Sequence, residues 1–136
     1  MGQQQLLLIV LGVIIVGIAV VVGINVFTAS ASQANRDGVI ADLTNLAALA
    51  QQHYRKPAAL GGGGNTFNGS GVPTGTSWTV PGAIDTTGNG IYTAVVAAQT
   101  VTLTGTGNEK GNNGTSVVKV TMVVGPISIT STTINN

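Results

Sequence analysis

The side chains able to do chemistry are few, and their spacing assembles no catalytic group. His53 is the only histidine, so a multi-histidine metal site is excluded. No acid or nucleophile flanks it, and its reading is structural. The chain holds no cysteine, which removes thiol nucleophiles, disulfides, thiolate zinc and iron–sulfur clusters. Residues 61–64 (GGGG) resemble a phosphate-cradling loop only in glycine content. That motif continues into Gly-Lys and then Ser or Thr, which is missing here and also after the GTGNEK of residues 105–110. The first stretch therefore reads as a flexible connection. Asp85 and Asn89, in DTTGNG, offer two oxygen ligands where Ca²⁺ takes six to eight, so a plain turn is expected. Asn68-Gly-Ser70 and Asn113-Gly-Thr115 match the N-glycosylation acceptor pattern. Trp78, Tyr54 and Tyr92 are too scattered for an aromatic ladder. The expectation is a protein without cofactor, metal or catalytic residues.

Composition points the same way. Only 7% of the 136 residues are charged, against about 25% in ordinary globular domains. Hydrophobic residues make up 43%, and mean hydropathy is +0.42. A disordered tail needs the opposite balance. Five Lys plus Arg and a net charge of +1 exclude a nucleic-acid footprint. Three Asp and one Glu leave little for acid–base work.

The elements that must carry the function come in sequence order. Residues 6–24 (LLLIVLGVIIVGIAVVVGI) contain no polar side chain. As a helix they span about 28 Å, the thickness of a bilayer core. The run is apolar all round, so no single face is marked for burial. Gly12, Gly17 and Gly23 interrupt it without the spacing of a membrane-helix dimer motif. They are either tolerated in a span or are points where the helix loosens. A cleaved secretory signal would have a basic start and an apolar stretch of about 7–15 residues, so the segment is expected to be retained.

From Ser30 to Tyr54 the pattern becomes amphipathic. Val39, Leu43, Leu46, Ala50 and Tyr54 form one helical stripe, with Gly38 a poor helix former inside it. Pro57 and the glycines end it, with Arg55 and Lys56 where a helix dipole favours cations. No proline separates this stripe from the apolar run, so one helix of about fifty residues is expected. Four β-runs follow: residues 77–80, 91–103, 116–124 and 127–134. Short connections make the sheet antiparallel, and the amphipathic stripe is available to cover one face. The expected fold is α+β: a long N-terminal helix packed on a small C-terminal antiparallel sheet. The divisions are an apolar helix (1–28), an amphipathic helix (29–56), a Gly-rich loop (57–76) and a β-rich head (77–136).

A hydrophobic helix running into an amphipathic one, then a glycine loop and an antiparallel sheet, resembles the type IV pilins. The likeness is architectural over the chain and sequence-level only near the N-terminus. It implies an inner-membrane precursor, cut and N-methylated by a prepilin peptidase and polymerised by the pilus assembly machinery. The product would be an extracellular filament, a fimbrium of the kind used in cell adhesion. It implies Met1 as the processed and methylated residue, or Gln3 if cleavage follows Gly2. The family's glutamate at the fifth mature position is missing in both registers, which place Gln5 or Leu7 there. The family's mid-helix proline and C-terminal cysteine pair are missing too.

The expected function is a homopolymer held by helix burial. Its core would be formed by Leu6, Leu7, Leu8, Leu11, Ile14, Ile15, Ile18, Val21, Val22 and Ile24. No enzyme activity and no nucleic-acid partner is expected. Two alternatives stay open. One is a pseudopilin of a type II secretion system, against which the acid-free segment after Glu109 counts. The other is a bitopic membrane protein with a β-rich binding head.

Overall fold

A computed structural model describes residues 2–136. Helix α1 (Gly2–Arg55) runs unbroken through both the apolar and the amphipathic segments. At 1.5 Å per residue its 54 residues reach about 80 Å. A one-turn 3-10 helix (Ala58–Leu60) and a long irregular segment lead to the sheet. The sheet holds β1 (Gly90–Val96), β2 (Val101–Lys110), β3 (Val117–Val124) and β4 (Ile129–Asn135). All neighbours are antiparallel, in the order β1-β2-β3-β4. The fold is α+β, as the pattern of elements predicts.

Only the second half of α1 touches the sheet, and it lies on β2 and β3. Val39, Leu43, Leu46, Ala47 and Ala50 are buried there, and Tyr54 packs at the end of the same stripe. The sheet answers with alternate residues, as a half-buried strand must. Tyr92, Val101, Leu103, Val118, Val120, Met122 and Val124 point inward. Gly105 is an inward position too, and a Cβ there would lie 2.6 Å from Val39 Cγ1. The missing side chain lets helix and strand approach closely.

Two expectations about the strands need correction. Residues 77–80 form no strand. Trp78 makes one backbone bond, to the Phe67 carbonyl at 2.8 Å, and its ring joins Phe67 in the core. The segment serves as a cover rather than as part of the ladder. Residues 91–103 are not one run but two strands, turned at Ala97–Thr100 by a 2.8 Å bond from Ala97 N–H. Val, Ala and Thr continue through this turn without a Gly or Pro, which hid it from sequence. The runs expected at 116–124 and 127–134 are β3 and β4 within two residues.

The glycine connection is folded back rather than slack. Gly63 N–H donates to the His53 carbonyl, Asn65 N–H to that of Tyr54 and Gly64 N–H to that of Lys56, all at 2.9–3.1 Å. These carbonyls are the ones a helix end leaves without partners. The loop is therefore the C-terminal cap of α1.

Candidate assembly surface

The apolar half of α1 stands clear of the head. Seventeen large apolar side chains between Leu6 and Phe27 are exposed, from 52% at Ile14 to 75% at Phe27. The expected core residues Leu6, Leu7, Leu8, Leu11, Ile14, Ile15, Ile18, Val21, Val22 and Ile24 are all among them. They surround the helix and form a shaft rather than a face. The most apolar 18-residue window has a mean hydropathy of 3.3 and no buried residue. By length and composition this helix can cross a membrane. Gly12, Gly17 and Gly23 lie inside regular helix, and a Cβ at any of them would meet nothing within 4 Å. Gly2 and Gln3 lie in the first turn, exposed. Met1, the expected processing residue, lies outside the described residues.

Where the shaft meets the head, the contacts are polar. Ser32 Oγ donates to the Lys110 carbonyl at the end of β2. Asn35 Nδ2 donates to the Asn89 carbonyl at 2.8 Å. Two turns further, Asp42 Oδ2 accepts from Tyr92 Oη at 2.6 Å, Thr87 Oγ1 at 2.8 Å and Asn89 Nδ2 at 3.0 Å. Burial pushes the Asp42 carboxyl up, but the bonds from Tyr92, Asn89 and Thr87 outweigh it and hold the group below 3.8. Burial, then the bond to Asp42, pushes the Tyr92 phenol up to about 12. This cluster fastens the 86–90 turn and the start of β1 to the helix.

That arrangement explains Gly38. It lies in helix between Asn35 and Asp42, and a Cβ on it would sit 2.6 Å from Asn89 Oδ1. Asn89 reaches Asp42 only across a bare backbone. Composition did not point to this cluster; the signal was Asn35, Gly38 and Asp42 on one flank of the apolar stripe, three, four and seven apart.

The other candidates scatter. His53 Nε2 lies 2.6 Å from the Thr76 carbonyl and holds the cap segment. Asp85 gives its backbone carbonyl to Tyr92 N–H at 2.7 Å, while Asn89 turns to Asp42, so the two do not converge. Among the described residues no three His, Asp or Glu side chains form a metal group. Residues 105–110 belong to β2 and build no loop. Asn68 and Asn113 are both exposed. Asn68 Oδ1 accepts from Ser70 N–H at 3.1 Å. Asn113 Oδ1 accepts from Thr115 and Ser116 N–H at 3.0 Å, and its Nδ2 donates to Asn136 Oδ1 at 2.8 Å.

Comparisons with family models, with curated proteins and with solved structures return no match. The long apolar helix on a small antiparallel sheet is compatible with a pilin-like architecture.

Proposed function

We propose that the chain is a structural subunit that polymerises through the apolar half of α1 into an extracellular, type IV pilus-like filament. The observation that carries this is the bare shaft: seventeen large apolar side chains with no partner in the described chain. Each contributes about 1.5–3 kcal/mol when fully buried, so the unburied total is on the order of tens of kcal/mol. A single chain in water cannot leave that surface exposed. Lipid solvates it before assembly, and neighbouring shafts replace lipid in the filament. Helix α1 needs no refolding for this transfer, because its backbone bonds are internal. On this reading the inner membrane holds the precursor, a prepilin peptidase trims and methylates it at Met1 or Gln3, and pilus machinery extrudes it. The protein acts by assembly and performs no catalysis.

The test is electron microscopy of material sheared from expressing cells, with intact-mass measurement of the same fraction. Thin filaments made mainly of this chain are the expected result. The mass fixes the mature N-terminus and reads any sugar on Asn68 or Asn113. Protein that stays wholly in the membrane fraction, without filaments, would replace this reading with a bitopic or secretion-machine one.

A further inference from the structure

The sheet has two edges, and their backbone groups can be assigned. Tyr92 N–H leaves β1 for the Asp85 carbonyl, away from β2. In an antiparallel ladder the bonding direction alternates along each strand. Ala94 and Val96 therefore also present N–H and C=O to the outer edge. Carrying the alternation through the pairs Gly105↔Val120 and Thr121↔Thr133 makes Thr132 and Ile134 the outward residues of β4. Among the described residues, only the isolated Thr86↔Ile91 bridge lies beyond β1, and no strand lies beyond β4.

Residues 85–87 cover the start of β1 and a register shift interrupts the start of β4, which leaves Ala94 and Val96 on one edge and Thr132 and Ile134 on the other open. Long, flat, uncharged edge strands are templates for pairing, and native proteins blunt them with charge or proline. β1 (GIYTAVV) and β4 (ITSTTIN) are seven residues each, without charge or proline. The β1 edge borders an open groove of about 430 Å³ whose far wall is Ser77, Trp78, Thr79 and Val80.

The strands also run along the helix. β2 passes Val39 at Gly105, Asn35 at Gly107 and Ser32 at Lys110, and β3 climbs back to Gln51, which donates to the Gly125 carbonyl at 3.2 Å. The two edges consequently face sideways, around the axis of α1. With four antiparallel strands, β1 and β4 run in opposite directions. Copies related by rotation and translation along a common axis keep their strand directions. β4 of one copy then meets β1 of the next as an antiparallel pair.

We propose that a second copy of this chain occupies each edge: β4 of one head pairs with β1 of the next, so that the sheet continues from copy to copy around the bundled shafts. The contact is head-to-tail, the kind that builds helical polymers when it does not close. This inference rests on the filament reading above.

The test uses the full chain in cells that assemble it. The natural sequence has no cysteine, so any disulfide is introduced. Directly paired residues on antiparallel strands lie about 5.5 Å apart at Cα, within disulfide range. Chains carrying Ala94→Cys or Val96→Cys together with Thr132→Cys or Ile134→Cys cover the neighbouring registers. Oxidised filaments from at least one combination should give a reductant-sensitive ladder of covalent multimers, and the single variants none. Filaments that form with every cysteine pair but yield no ladder overturn the edge pairing and leave the filament reading intact. Absence of filaments from the unaltered chain overturns both. If the cysteine variants fail to assemble, hydrogen exchange on unaltered filaments decides. The Ala94, Val96, Thr132 and Ile134 amides should exchange at least tenfold more slowly than in dispersed subunits, and unchanged rates overturn the proposal.

Discussion

Between residues 6 and 27, helix α1 exposes every large apolar side chain, while from Val39 to Ala50 the same helix buries five apolar residues against the sheet. Backbone geometry is common to both halves; the pattern of apolar residues is not. In the shaft, apolar residues occupy every direction around the axis, so one sheet could never cover them. In the head, they keep to one stripe, and Gln33, Asp37 and Asn45 occupy the exposed side. The glycines differ in the same way. Those of the shaft meet nothing, whereas Gly38 and Gly105 are bare because another group occupies the space a Cβ needs. Partners inside the chain have already shaped one half. The other meets no partner within the described chain.

The largest effect expected from breaking this contrast is in the shaft. Val16→Asp places a carboxylate at the middle of the apolar run. A charge at such a depth costs about 3 kcal/mol, roughly a hundredfold per subunit. Sheared filaments should disappear while the head still folds, as followed by protease resistance of the membrane-bound protein. Normal filament yield would sink the shaft-core reading.

The same small substitution should have opposite signs in the two halves. Gly105→Ala drives a methyl into Val39 and the Tyr92 ring, an overpacking cost of about 1–3 kcal/mol. Gly12→Ala meets nothing in the isolated chain and gains roughly 1 kcal/mol of helix propensity. Thermal unfolding of the head in detergent should fall by several degrees for the first and stay unchanged for the second. Helicity by circular dichroism should hold or rise for Gly12→Ala. Equal head stabilities would mean that the close approach at Gly105 is not tight.

Acid and alkali probe the polar fastening at Asp42. Its folded carboxyl binds a proton less tightly than the unfolded one, whose pKa is 3.8. Its contribution is whole above that pH and is lost as pH falls through the lower folded value. Tyr92 works in the other direction. Its folded pKa of about 12 exceeds 10.0, so its contribution is present below pH 10 and fades as pH rises towards 12. The head should show a flat stability plateau with a drop at each end. Asp42→Asn should lower the plateau by about 1–3 kcal/mol and remove the acid drop belonging to this group. Tyr92→Phe should remove the corresponding alkaline drop. A pH profile unaltered by either variant would show that the cluster is not coupled to folding.

These contrasts also mark what was legible in the sequence. The helix, its buried stripe and β3 and β4 follow from periodicities of 3.6 and 2, which Val39–Leu43–Leu46–Ala50 and the run SVVKVTMVV display directly. The turn at Ala97–Thr100 was hidden because Ala-Ala-Gln-Thr holds none of the usual turn residues Gly, Pro, Asn or Asp and is closed by a backbone bond. Residues 77–80 have strand composition but lack a ladder partner, which is a tertiary fact. The Asp42 cluster joins residues about fifty positions apart, and the local spacing of Asn35, Gly38 and Asp42 marks the helix flank without naming Asn89 and Tyr92 as its partners. The shaft was legible as apolar, and its exposure follows only once the head is seen to end at Ser32.

Gly38→Ala sets local propensity directly against tertiary contact, and its net effect is the smallest. In an isolated helix the substitution stabilises by roughly 1 kcal/mol. Here the new methyl would displace Asn89 from Asp42, breaking a hydrogen bond to a half-buried carboxylate worth about 1.5–3 kcal/mol. The Asn35 bond to the Asn89 carbonyl would loosen with it. The expected balance is a net loss near 1 kcal/mol, read as a modest fall in the head's melting temperature. The double variant Gly38→Ala with Asn89→Ala separates the two terms. Once Asn89 is truncated the methyl has room, so adding Gly38→Ala to Asn89→Ala should stabilise rather than destabilise. A destabilising effect in both backgrounds would show that Gly38 is needed for something other than Asn89.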